Sequence, residues 1–94
     1  MEVSAKPRLL VVDDEPDMLD FVERTFRRDY RVERAESVEL ALPLLAVGRL
    51  DVLITDRRMP RRGGDELLEQ ARALQPAAVR ILLTGFSDEA APDP

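Results

Sequence analysis

The sequence contains neither cysteine nor histidine. Without Cys the chain holds no disulfide and no thiolate metal site, and without His it has no imidazole base, no imidazole ligand and no phosphohistidine. Lysine occurs once, at Lys6. No apolar run approaches the length of a membrane span, and the opening MEVSAKPR lacks the apolar core of a secretory signal. The expected location is the cytoplasm, with no membrane partner. Internal repeats and low-complexity linkers are lacking too, as are a P-loop, a dinucleotide fingerprint and a nucleophile elbow. Acid, hydroxyl and cation chemistry remain.

What is present fits one small domain. The 94 residues are 45% hydrophobic and 35% charged, a balance that suits a compact fold rather than a disordered segment. Residues 1–7 read as a polar leader, and residues 87–94 as an acidic, proline-containing tail. With 14 basic against 19 acidic side chains the net charge is −5, which weakens any nucleic-acid reading because phosphate backbones attract basic faces. The arginines at 57, 58, 61 and 62 are a local group, by default a solvated loop that offsets nearby acids.

Strand and helix signals alternate along the chain. Residues 8–13 read as a strand, and Glu15 to about Arg28 as a helix with Met18, Leu19, Val22 and Phe26 on one face. Asp14 is a candidate cap for that helix, with Pro16 in its first turn. YRVERA, with Tyr30, Val32 and Ala35 loosely alternating, reads as a half-exposed edge strand. A second helix is expected from Ser37 to a left-handed cap at Gly48, with Pro43 inside it predicting a kink or a late start. DVLITD, residues 51–56, reads as a buried strand, the stretch from about Asp65 to Leu74 as a helix, and VRILLTG as a fourth strand. This alternation argues for a doubly wound α/β fold, a parallel sheet with helices on both faces.

In such sheets ligands sit beyond the carboxyl ends of the strands, near a switch in strand order. Three of the four strands end on polar groups: Asp13 with Asp14, Asp56, and Thr84. Taken singly, Asp14 reads equally well as a helix cap, and Asp56 or Thr84 as a solvated strand end. Adjacent carboxylates repel unless they share a cation. Mg²⁺ favours a few carboxylate and carbonyl oxygens plus waters, a set these strand ends can offer.

The segments VVDDE at 11–15, LITDRRMPRRGG at 53–64 and ILLTG at 81–85, in this order and with about 40 residues between the acidic pair and the lone Asp, resemble the receiver domain of two-component response regulators. That resemblance implies a flavodoxin-like sheet of order 2-1-3-4. It implies that Asp56 is the phospho-acceptor, fed by a histidine kinase or phosphotransfer protein in trans. It further implies that Asp13, Asp14, Asp56 and the Arg58 backbone carbonyl hold Mg²⁺, and that Thr84 is the switch hydroxyl. Met59, Pro60 and Gly64 match the loop after the acceptor, and Gly85 the small residue that keeps the pocket open. Such a domain is a phospho-acceptor rather than an enzyme, with at most self-catalysed phosphoryl transfer and dephosphorylation.

The family also carries a fifth strand ending in Lys, a switch aromatic on that strand and a fifth helix, for which these residues offer no match. The expectation is a truncated form or a short form that completes itself with a partner. Strand four would then be a sheet edge, and Ile81, Leu82, Leu83 and Phe86 the contacts of a homodimer. An alternative function is a pseudo-receiver that takes no phosphoryl group and acts as a dimerisation or docking module. A third, a phosphatase of the haloacid dehalogenase type, requires an acid two residues after the nucleophile; Arg58 stands there instead.

Overall fold

The computed structural model describes residues 6–59 and 62–83. Its elements follow in the order β1 (Arg8–Val12), α1 (Pro16–Phe26), β2 (Arg31–Ala35), α2 (Val38–Leu45), β3 (Val52–Asp56), α3 (Gly64–Leu74) and β4 (Val79–Leu83). All pairings are parallel and the strand order is β2-β1-β3-β4, the order that the family resemblance implies.

Strand β1 is central and every one of its residues is buried, so its apolar run serves both faces of the sheet. Leu9 and Val11 point toward α1 and pack with Leu19, Val22 and Ile54. Leu10 and Val12 point the other way, into a larger core with Val38, Ala41 and Leu45 of α2, Leu53 of β3, and Leu67 and Ala71 of α3. Among the described residues one helix therefore covers one face and two cover the other. Fully burying a Leu or Val side chain contributes about 1.5–3 kcal/mol, so this double-sided strand is the main anchor of the fold.

Several boundaries shift from expectation for local reasons. Helix α1 starts at Pro16, and its N-cap is Glu15, with no side-chain cap bond; Asp14 does not cap it. The turn is closed instead by Asp13, whose Oδ1 accepts from the Glu15 N–H at 2.9 Å. Met18 is 37% exposed, which leaves Leu19 and Val22 as the buried stripe with Phe26 beside them. In α2 the Ser37 hydroxyl accepts from the Leu40 N–H at 3.1 Å, the expected cap. The helix runs through the exposed Pro43 without a late start and ends at Leu45, while Gly48 lies beyond it at φ +63°. That left-handed conformation costs glycine little, having no Cβ to clash.

Sequence gives no hint of the role of Arg8. Its side chain is buried, and its guanidinium donates to the carbonyls of Leu44, Val47 and Arg49 while pairing with Glu33 at 2.9 Å. One arginine thus ties the start of β1 to the end of α2 and the segment that follows, at the end of the sheet away from the acids.

On the α1 side, β4 brings Val79 and Ile81 to the surface, 58% and 40% exposed. Among the described residues β4 pairs with β3 alone and stands at the edge of the sheet. Phe86, expected to share that edge, lies outside the described residues. Among those residues no helix is long and apolar enough to cross a membrane.

Candidate functional site

The chain leaves β1 toward β2 on one side and returns to β3 on the other, so the crevice beyond the carboxyl ends of β1 and β3 is the switch point of the sheet. Val12 is paired with Thr55, which places Asp13 and Asp56 next along the same two strands. Period-two alternation puts both on the face of Leu9, Val11, Val52 and Ile54. Asp14 completes the group: an oxygen from each of Asp13, Asp14 and Asp56 lies within 4.8 Å of the other two.

The three carboxylates sit in unlike surroundings. Asp13 is 5% exposed, Asp56 half-buried and Asp14 exposed. Burial pushes the Asp13 carboxyl up from 3.8 to about 6; the Glu15 N–H opposes the shift, and the charges of Asp56, Asp14 and Glu15 add to it. Negative charge on Asp13 is thus disfavoured by the fold itself, and a cation at this point would relieve it. The residues present fit a hard divalent ion, because oxygens are the donors that Mg²⁺ and Ca²⁺ take.

Backbone contacts tie the start of the loop after β3 to β4 and to the start of α3. The Arg57 N–H donates to the Leu83 carbonyl at 3.2 Å, and the Arg57 carbonyl accepts from the Gly64 N–H at 3.1 Å. Gly64 is packed so closely that a Cβ placed on it would lie 2.1 Å from the Asp56 carbonyl oxygen. The matching of Gly64 to a family motif gave its position, and this contact gives the physical reason. Arg57 pairs with Asp65 at 3.9 Å, and Arg62 pairs with Glu66 and, at 4.0 Å, with Glu39 of α2. These two arginines do offset nearby acids; Arg61 lies outside the described residues.

Of the residues singled out in sequence, Asp13, Asp14 and Asp56 converge. Arg58 is exposed, two residues past the end of β3. Thr84 and Gly85 lie outside the described residues. Thr55 was missed. It is fully buried and its hydroxyl donates to the Asp56 carbonyl at 3.0 Å. The available signal was a hydroxyl at a strand position where the alternation of β3 calls for an apolar side chain.

Comparison with known proteins agrees with this fold. The chain is 38% identical over 80 residues to the hydrogenase transcriptional regulatory protein HoxA of Cupriavidus necator, a match covering 85% of this chain and 17% of that one. It therefore spans less than a fifth of that relative's length. A crystal structure of a Burkholderia pseudomallei response regulator with a phosphorylated aspartic acid, calcium ion and citrate superposes with a TM-score of 0.79 at 28% identity, over 85% of this chain and 48% of that one. The response regulator TrrA of Thermotoga maritima, in complex with Mg²⁺ and BeF, gives 0.78 at 34% identity, over 88% and 73%. The family profile described as "Response regulator receiver domain" matches residues 9–92, and with the parallel sheet and the acids at its switch point this places the chain in the response regulator receiver domain family.

Proposed function

We propose that this chain accepts a phosphoryl group on Asp56 from a histidine kinase or phosphotransfer protein, in the cytoplasm, with Mg²⁺ held by Asp13, Asp14, Asp56 and the Arg58 backbone carbonyl. The convergence of three carboxylates at the switch point, one of them buried and raised to about 6, carries the proposal. A bound Mg²⁺ would supply the positive charge that screens an anionic phosphoryl donor from the carboxylates.

These 94 residues contain no His, so the donor imidazole lies outside them. One Asp56 oxygen forms the new O–P bond as the P–N bond of a phosphoimidazole breaks; the electron pair returns to the imidazole nitrogen, which takes a proton from water. The product is an acyl phosphate, and Thr84 is the hydroxyl assigned to hydrogen-bond it. The chain is an acceptor rather than an enzyme, beyond catalysing its own loading and hydrolysis. Incubation with Mg²⁺ and acetyl phosphate followed by intact-mass measurement tests the assignment. One alkali-labile phosphoryl group is expected on the wild type and none on Asp56→Asn. A stable phosphoryl group on Thr84 or Ser87 would refute it.

Exposure of Val79 and Ile81 on the edge strand supports a second reading, a dimerisation or docking module using Ile81, Leu82, Leu83 and Phe86. The intact-mass measurement separates the two, since such a pseudo-receiver takes up no phosphoryl group, and sedimentation across a concentration series tests the homodimer: a stable monomer throughout removes it.

A further inference from the structure

Thr55 is a fully buried side chain whose hydroxyl takes no part in the chemistry proposed above. Its surroundings on that face of the sheet are apolar: Leu53 precedes it on the same face of β3, and the buried Val12 is its partner on β1. A hydroxyl without a partner is costly in such a place, and this one is directed at the carbonyl of the next residue, Asp56, at 3.0 Å. The same oxygen is where α3 begins: a Cβ on Gly64 would lie 2.1 Å from it and 3.1 Å from Thr55 Oγ1, so strand end, hydroxyl and helix start meet at one point. One residue on, the Arg57 carbonyl accepts the Gly64 N–H, closing the base of the loop that contains Arg58.

We infer that Thr55 is a positioning residue for the divalent-cation site: by holding the Asp56 carbonyl against the start of α3, its hydroxyl sets the exit direction of the loop and with it the place of the Arg58 carbonyl. The inference rests on the metal-site assignment above and adds to it a residue that touches neither the ion nor the phosphoryl group. The Asp56 side chain and the Asp56 carbonyl belong to one residue, so the same hydroxyl also steadies the acceptor. A carboxylate site of few protein ligands is sensitive to the placement of each, because the hard ion keeps waters wherever a ligand is misplaced.

Calorimetric titration of Mg²⁺ into the full chain, with amide hydrogen exchange at Gly64 followed by NMR, tests this. Thr55→Val keeps the shape and removes the donor; it is expected to weaken Mg²⁺ binding about three- to tenfold and to speed exchange at Gly64, the range for one neutral hydrogen bond behind a ligand. Thr55→Ser restores the hydroxyl and is expected to bind as the wild type does. A folded Thr55→Val with wild-type affinity overturns the inference, as does a Thr55→Ser weakened as much as Thr55→Val. Should the valine variant not fold, Thr55→Ala against Thr55→Ser makes the same comparison. If the wild type and Asp13→Asn respond alike to Mg²⁺, the metal-site assignment itself fails and takes this inference with it.

Discussion

Replacing Asp13 by Asn should stabilise the protein in the absence of divalent cations, by a margin that grows as the pH rises from about 3.8 to about 6 and is complete above it. In the folded protein the Asp13 carboxyl is raised from 3.8 to about 6, first by burial, then by the charges of Asp56 and Asp14. A carboxyl raised in this way binds its proton more tightly folded than unfolded, so its contribution to stability grows as the pH falls through 6 and levels off below 3.8. Above 6 the ionised form is carried at a cost. At about 1.4 kcal/mol per pH unit the interval corresponds to roughly 3 kcal/mol, an upper limit that screening by water through the exposed Asp14 side reduces to about 1–2 kcal/mol. Asn keeps an oxygen for the Glu15 N–H and removes the charge. For a chain of this size the gain is about 4–16 °C in Tm. Thermal unfolding followed by circular dichroism, with chelator at pH 7.5 and again at pH 4.5, reads the difference directly. The variant should melt higher at pH 7.5, and the gap should shrink at pH 4.5, where Asp13 is protonated. Added Mg²⁺ should raise the wild type and leave Asp13→Asn almost unmoved, since an ion that binds only the folded state stabilises it by mass action. An Asp13→Asn protein that melts below the wild type at pH 7.5 without metal, or by the same margin at both pH values, would refute the reasoning.

Two further substitutions probe the supports of the site. Gly64→Ala places a methyl 2.1 Å from the Asp56 carbonyl, a backbone atom that cannot swing aside; a loss of about 1–3 kcal/mol by urea unfolding is expected, together with weaker Mg²⁺ binding. Arg8→Met keeps the apolar stem but leaves Glu33 and the carbonyls of Leu44, Val47 and Arg49 without their donor, for a loss of about 2–4 kcal/mol in the same assay. Because Arg8 lies at the far end of the sheet, Mg²⁺ affinity of the folded Arg8→Met protein should equal that of the wild type.

Local sequence was enough for the alternation of elements and for the pocket's acids. Four consecutive apolar residues, Leu9 to Val12, demand burial on both faces, and only a central parallel strand with helices above and below provides it. Ser37 before an apolar periodic stretch caps a helix, and Gly48 supplies a positive φ, because both depend on atoms a few residues apart. Asp13, Asp14 and Asp56 could be placed at one crevice since each closes a strand run and parallel strands end on the same side. Contacts between distant segments decided the rest. Asp14 could be expected to cap α1 as well as any acid could, until the turn placed the Asp13 oxygen on the Glu15 N–H instead. Arg8 at the head of a strand looks like a solvated charge; it is buried because carbonyls 36 to 41 residues away turn toward it. The raised Asp13 carboxyl and the closeness of Gly64 to Asp56 likewise arise only when separate strands and a helix start are brought together. Periodicity and capping act over a turn of chain and are written in it, whereas desolvation and steric contact depend on what the folded chain sets alongside a residue.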